Sequence, residues 1–138
     1  MTLSVSFLKK RRRMSIQMIY RALILDENID RVKQDVLDGF QLQNIDDKTS
    51  EYLLNNLDYC EKAYFIIKPF IGKTWSWDRL PKMIQAILLN GVYEISETDI
   101  PKPVIINESI ELVREFLPNW NPTFINAVLD QINPIKEG

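Results

Sequence analysis

Lys9, Lys10, Arg11, Arg12 and Arg13 stand in one unbroken run, and the chemistry open to such a run is the neutralisation of a polyanion. Nucleic acids draw most of their binding free energy from phosphate neutralisation, and arginine adds a planar fork that grips phosphate and stacks on bases. The 138-residue chain has a formal net charge of only -2, but the charge is unevenly spread. Residues 1–21 carry six cations (the five above and Arg21) and no acid, while the remainder carries 11 cations and 19 acids. A basic end on an acidic body points to a polyanionic partner at that end. A solvated tail that binds nothing, or attraction to an anionic lipid surface, are the alternatives for the same run. Aromatic residues able to stack on bases are Tyr20, Trp75, Trp77, Trp120 and Phe124. Trp120 stands apart from the rest, because an Asn/Pro loop is a poor place to bury an indole.

Other chemistry is poorly supplied. The chain has no histidine, which removes Ser-His and Cys-His nucleophile pairs and the commonest transition-metal ligand. One cysteine, Cys60, offers neither an internal disulfide nor a zinc site, and reads as a structural thiol in a reducing compartment. No phosphate-cradling glycine loop is present. Glu108, Glu111 and Glu115 share one side of a helix and could serve as a metal or acid/base group. A solvated helix face, with Glu111 beside Arg114, is the favoured account of them. No catalytic residue, cofactor or metal is called for, so an enzyme is not expected.

These residues need a scaffold, and the period of the chain is helical. Ile16, Ile19, Tyr20 and Leu23 share one face of a first helix over 8–25, while Lys10, Arg13, Gln17 and Arg21 fall on a separate basic stripe. Consecutive cations at a helix start oppose the helix dipole, which predicts a segment unordered when free and ordered on a polyanion. A second helix is predicted over 30–42, with Val32, Val36, Leu37 and Phe40 apolar. The stretch NIDDKTS reads as a loop, with Ser50 as N-cap of a third helix over 51–71 that Pro69 frays and Gly72 stops. KTWSWDRLP reads as a linker or a single turn. PKMIQAILLNGVYEI is apolar nearly all round, the mark of an enclosed helix. Pro103 opens the next helix. Asn121 and Pro122 open the last, which Pro134 ends. No stretch alternates long enough for a strand, and no window is long enough for a membrane span, so the chain reads as cytoplasmic. The expected fold is all-α, about seven helices forming one compact domain over 1–138, with an N-terminal bundle over 8–72 and a C-terminal bundle over 75–135. The apolar, hydroxyl-rich lead MTLSVSFL is left open between an unordered segment and one packed on the first bundle.

The order of these elements carries a resemblance. A basic cluster, then SIQMIYRALI, ILLNGVYEI, DIPKPVIINESIELVREF and FINAVLDQI, resembles the NusB family of bacterial antitermination factors along nearly the whole chain. The resemblance implies two perpendicular three-helix bundles. It implies binding of boxA-type single-stranded RNA from rRNA leader transcripts together with NusE, a small-subunit ribosomal protein, and assembly with NusA, NusG and RNA polymerase. It places RNA contacts at Lys9, Lys10, Arg11, Arg12, Arg13 and Phe124. Tyr20 falls near the partner surface, where Trp120 is also expected. Asn107, Glu108 and Asn126 match positions read as structural. Leu89 stands where the family usually has arginine, Thr123 where it usually has a basic or polar residue, and Trp120 where a small or acidic one is common. The resemblance extends to the RNA-binding domain fused to some rRNA cytosine methyltransferases, although no methyltransferase is expected here. A protein-interaction module that binds NusE without RNA specificity is the alternative function.

Overall fold

The computed structural model describes residues 3–25, 29–42, 44–72 and 76–133, with side chains except at 29 and 40–42. The expectations for the Phe40 side chain, for Trp75 and for Pro134 lie outside the described residues. Among those described there are six α-helices, two 3-10 turns and no strand, so the chain is all-α as expected.

Helix α1 spans Val5–Leu25 and starts earlier than the apolar period suggests. Ser4 is the reason: its carbonyl accepts from the Leu8 N–H at 3.0 Å and its Oγ from the Phe7 N–H at 3.1 Å, an N-cap arrangement. The lead therefore joins the helix from Val5 onward. Helix α2 spans Ile29–Leu42 and buries Val32 and Val36. Helix α3 spans Asp47–Ile67, not 51–71. Its cap is Asp46 and not Ser50: the Asp46 carboxylate accepts from the Thr49 N–H at 2.8 Å and from the Thr49 hydroxyl at 3.0 Å. Most of the presumed loop NIDDKTS is thus helix. At the other end the chain tightens into a 3-10 turn over Lys68–Phe70, where Pro69 lacks an amide to donate, and Gly72 breaks away with φ 89°. Among its described residues the linker holds a single 3-10 turn, Trp77–Arg79.

Helix α4 (Lys82–Glu97) is the central element, with every residue from Ile84 to Ile95 buried. It packs against α1, α3, α5 (Lys102–Phe116) and α6 (Thr123–Asp130). One apolar cluster runs through all of these helices, including Ile16, Leu53, Ile87, Ile105 and Leu129. Gly91 permits the α4–α6 contact, since a Cβ there would stand 2.9 Å from both methyl carbons of Leu129. Helix α5 begins one residue before Pro103, and α6 begins at Thr123, one residue after the Pro122 expected at its first position, with Asn121 Oδ1 accepting from the Thr123 N–H at 3.0 Å. Lys102 Nζ donates to the carbonyls of Asp130 (2.6 Å) and Ile132 (2.9 Å), fastening the start of α5 to the negative end of α6.

Candidate nucleic-acid interface

The basic run occupies more than one full turn of α1, so its five side chains point in different directions and meet different surroundings. Lys9 and Lys10 are exposed, Arg13 is half-exposed, and Arg11 and Arg12 are buried, with 9% and 3% of their surface accessible. All five remain helical, contrary to the expectation of an unordered free segment. The reason is that acids of α4 and α5 offset the crowded charge in place.

Arg12 makes the deepest of these contacts. Its Nε donates to Glu94 Oε2 at 2.9 Å, both side chains being almost wholly enclosed. The same carboxylate oxygen accepts from Asn90 Nδ2 at 3.3 Å, and Asn90 Oδ1 accepts from Asn56 Nδ2 at 2.9 Å. A buried polar chain therefore crosses from α1 through α4 to α3. Burial pushes the Glu94 carboxyl above the usual carboxylate range, with the Arg12 hydrogen bond and charge pulling the other way. Arg12 thus has its guanidinium turned into the protein, and the expectation that all five cations contact RNA does not extend to a side chain so placed.

Arg11 is enclosed differently. Its guanidinium carbon lies 3.6 Å from the centroid of Tyr52 on α3 and 5.7 Å from that of Phe7. Burial and the nearby Glu94 push the Tyr52 phenol well above its usual range, so the ring stays neutral under its cation. Tyr52 in turn meets Tyr93 edge to face at 5.4 Å.

The outward cations face α5. Lys9 Nζ stands 3.5 Å from Glu108 Oε1, and Arg13 NH2 donates to Glu115 Oε2 at 2.6 Å with its guanidinium 5.5 Å from the Phe116 centroid. Arg13 holds the Glu115 carboxyl below its usual value, chiefly through that hydrogen bond. Between the helices lies an open groove of about 400 Å³, lined by cations of α1 and by Glu108, Glu111 and Glu115. Glu111 accepts from Arg114 at 2.7 Å. The three glutamates are thus each paired with a cation. Among the described residues no three histidine, cysteine or acidic side chains are grouped as a metal site. Further along α1, exposed Arg21 pairs with Asp35 of α2 at 3.5 Å.

The aromatic candidates are set apart from the cations. Trp120 and Phe124 meet edge to face at 5.4 Å across the α5–α6 connection, both half-buried against the core. The Asn/Pro loop therefore does not leave the indole as a free platform. Tyr20 is half-buried about two turns beyond Arg13. Cys60 is half-buried; its Sγ donates weakly to the Asn56 carbonyl at 3.5 Å, and burial, then the charge of Asp58, push the thiol up to about 12.

Sequence reasoning overlooked Glu94 and Tyr52, though signals for them exist. Arg12 lies on the stripe of Ile16, Ile19 and Leu23 at i, i+4, i+7 and i+11, which places a charge on the core face. Glu94 is the acid inside an otherwise enclosed segment of α4. A buried charge on each of two packed helices implies that they are paired.

Comparison with known proteins agrees with this architecture. The NusB family profile matches residues 9–134. The chain is 31% identical over 146 residues to the transcription antitermination protein NusB of Clostridium tetani, covering 90% of this chain and 95% of that protein. It is 31% identical over 119 residues to the protein of the same name from Helicobacter pylori, covering 86% of each. Among solved structures it is similar to T. maritima NusB, with a TM-score of 0.72 at 24% identity over 90% of this chain and 88% of that one. It is also similar to a chain in a crystal structure of antitermination factors NusB and NusE in complex with dsRNA, with a TM-score of 0.72 at 23% identity over 94% of this chain and 97% of that one. The match in profile, in sequence and in the helical fold assigns the chain: it belongs to the NusB family.

Proposed function

We propose that this protein is an RNA-binding antitermination factor that takes boxA-type single-stranded RNA of rRNA leader transcripts together with NusE. In this reading it acts in the cytoplasm, within a larger assembly containing NusA, NusG and RNA polymerase, and performs no catalysis. The observation that carries it is the α1 edge. Lys9, Lys10 and Arg13 are held at fixed helical spacing, with Arg21 further along, by a helix that Arg12 anchors to Glu94. Such an edge presents phosphate-binding charge without first having to order the segment. Among the described residues no helix is long and apolar enough to cross a membrane. Tyr20, Trp120 and Phe124 supply half-buried aromatic surface for the protein partner and for bases. Family membership and a related solved complex that contains NusE and dsRNA lend support.

The experiment is a binding titration of this protein with and without its NusE, using boxA-like single-stranded RNA, a scrambled single strand and a duplex. Preference for the boxA-like strand is expected, with log K falling against log salt by about 0.7 per phosphate contacted. Equal binding of all three RNAs would refute the reading. The ion pairs of Lys9 and Arg13 with α5 favour a second reading, in which these cations are structural and the protein binds NusE alone. In that case NusE binds tightly and RNA adds nothing.

A further inference from the structure

Arg11 has no role in the ion pairs described above. Its side chain is about nine-tenths buried, and among the described residues no carboxylate or hydrogen-bond acceptor pairs with its guanidinium. Tyr52 covers one face of the group, which leaves the N–H edges of the fork to be satisfied elsewhere. Beside it opens a recess of about 250 Å³ between the start of α1 and the α2–α3 connection. Phe7, Lys10 and Arg11 line it from α1, and Asn44, Ile45 and Asp46 from the connection. The backbone at Asn44 takes the left-handed conformation, φ 55°, turning the chain at this wall.

We infer that this recess is a base subsite for a single unpaired guanine in the bound RNA. This rests on the reading of the protein as RNA-binding. The volume falls just below the roughly 300–1,000 Å³ typical of sites for drug-sized ligands, and suits one flat heterocycle. Aromatic Phe7 and aliphatic Ile45 offer faces on which a base can pack, which single-stranded recognition uses irrespective of sequence. The polar groups then select among bases. A guanidinium fork matches the O6 and N7 acceptors of guanine, whereas adenine shows a donor at the O6 position. The Asp46 carboxylate spends one lone pair of each oxygen on Thr49 and keeps others to accept from the N1 and N2 donors of guanine. That carboxylate also disfavours a bare phosphate in the recess. Exposed Lys10 stands at the rim, where the phosphate of the same nucleotide emerges. Recognition of unstacked bases by their edges is the general mode of sequence-selective RNA binding.

The test uses the full chain with its NusE, and uridine-tract RNAs in which one central residue is guanosine, inosine or adenosine, read by fluorescence anisotropy. The tract lets the strand slide until the odd base finds the recess. The guanosine strand is expected to bind at least about fivefold tighter than the adenosine strand, the low end for one well-made bidentate contact. Inosine, which lacks the N2 donors, is expected in between. Asp46→Asn keeps a capping side chain and should bring guanosine and inosine together. Arg11→Lys keeps the charge without the fork and should remove the preference for guanosine over adenosine. Because Arg11 is buried, Phe7→Ala on the half-buried rim provides an independent variant, expected to weaken the guanosine strand more than the adenosine strand. Tight but equal binding of guanosine and adenosine strands would overturn the subsite while leaving RNA binding intact. A guanosine preference that survives all three substitutions would overturn it as well. Failure to bind any of these strands while the boxA-like strand is bound would overturn the subsite alone, and failure to bind the boxA-like strand as well would remove RNA binding with it.

Discussion

Arg12 and Glu94 form a buried ion pair, Nε to Oε2 at 2.9 Å, that joins the basic helix α1 to the central helix α4. Buried pairs of this kind add little net stability over apolar residues, because both ions must be desolvated. Their removal one partner at a time is another matter, since the survivor is left charged and enclosed. The pair therefore fixes where α1 sits more than it strengthens the fold.

Arg12→Ala is expected to lower unfolding free energy by about 3–5 kcal/mol in urea titration. The double change Arg12→Met with Glu94→Leu should recover most of that loss. The variant should also acquire a distinct pH dependence. Burial raises the Glu94 carboxyl above its usual 4.5, so between that value and the raised one the folded chain holds a proton that the unfolded chain has released. Stability of Arg12→Ala should consequently rise as pH falls toward 4.5 and decline as pH climbs through the raised value. A flat profile would show that Glu94 finds other compensation.

The acids of α5 compete with RNA for the outward cations. Exposed ion pairs are weak, and phosphate must displace Glu108 from Lys9 and Glu115 from Arg13. Glu108→Gln combined with Glu115→Gln is expected to tighten RNA binding by about two- to fivefold at moderate salt, with the gain shrinking as salt rises. An unchanged affinity would mean that bound RNA leaves these pairs intact.

Cys60 provides a probe of the native state. With its thiol pushed up to about 12, it should resist alkylation at pH 8 in the folded protein and react promptly in denaturant. The unfolded chain releases the proton near 9, so a decline in stability should accompany a rise in pH from about 9 toward 12, monitored by thermal melting. Fast native alkylation at pH 8 would contradict the burial assigned to this side chain.

Gly91 marks the closest approach of α4 and α6. Gly91→Val drives a branched side chain onto Leu129, which is itself fully buried, and should cost on the order of 1–3 kcal/mol by overpacking. Gly91→Ala should cost less, because better helix propensity, worth about 1 kcal/mol, offsets part of the crowding. Denaturant midpoints of the two variants separate these contributions.

Much of the fold was legible because the apolar period and the helix-start residues point the same way. Pro103, Asn121 and Pro122 marked the starts of α5 and α6, and the enclosed character of α4 followed from its composition. The misplaced starts of α1 and α3 share one cause. Ser4 and Asp46 cap these helices ahead of the first regular apolar positions, so period alone places the boundary too late. The six α-helices seen among the described residues stand close to the expected count of about seven, with the linker contributing a single 3-10 turn in its described part. The basic run was legible as a run but not as a set of directions. Charge type says what a side chain binds, whereas phase on the helix says whether it faces water, and Arg11 and Arg12 face inward. For Trp120, local sequence suggested exposure, but a contact with Phe124 from the following helix half-buries the ring.

The enclosure of α4 has a consequence for how the molecule comes apart. Its apolar surface is shared among α1, α3, α5 and α6, so a backbone cut in the 3-10 linker leaves neither fragment with a complete interior. Loosening any neighbour bares part of the same helix. Opening should therefore be cooperative, and the peptide hydrogens of α4 should be among the last to trade with deuterium.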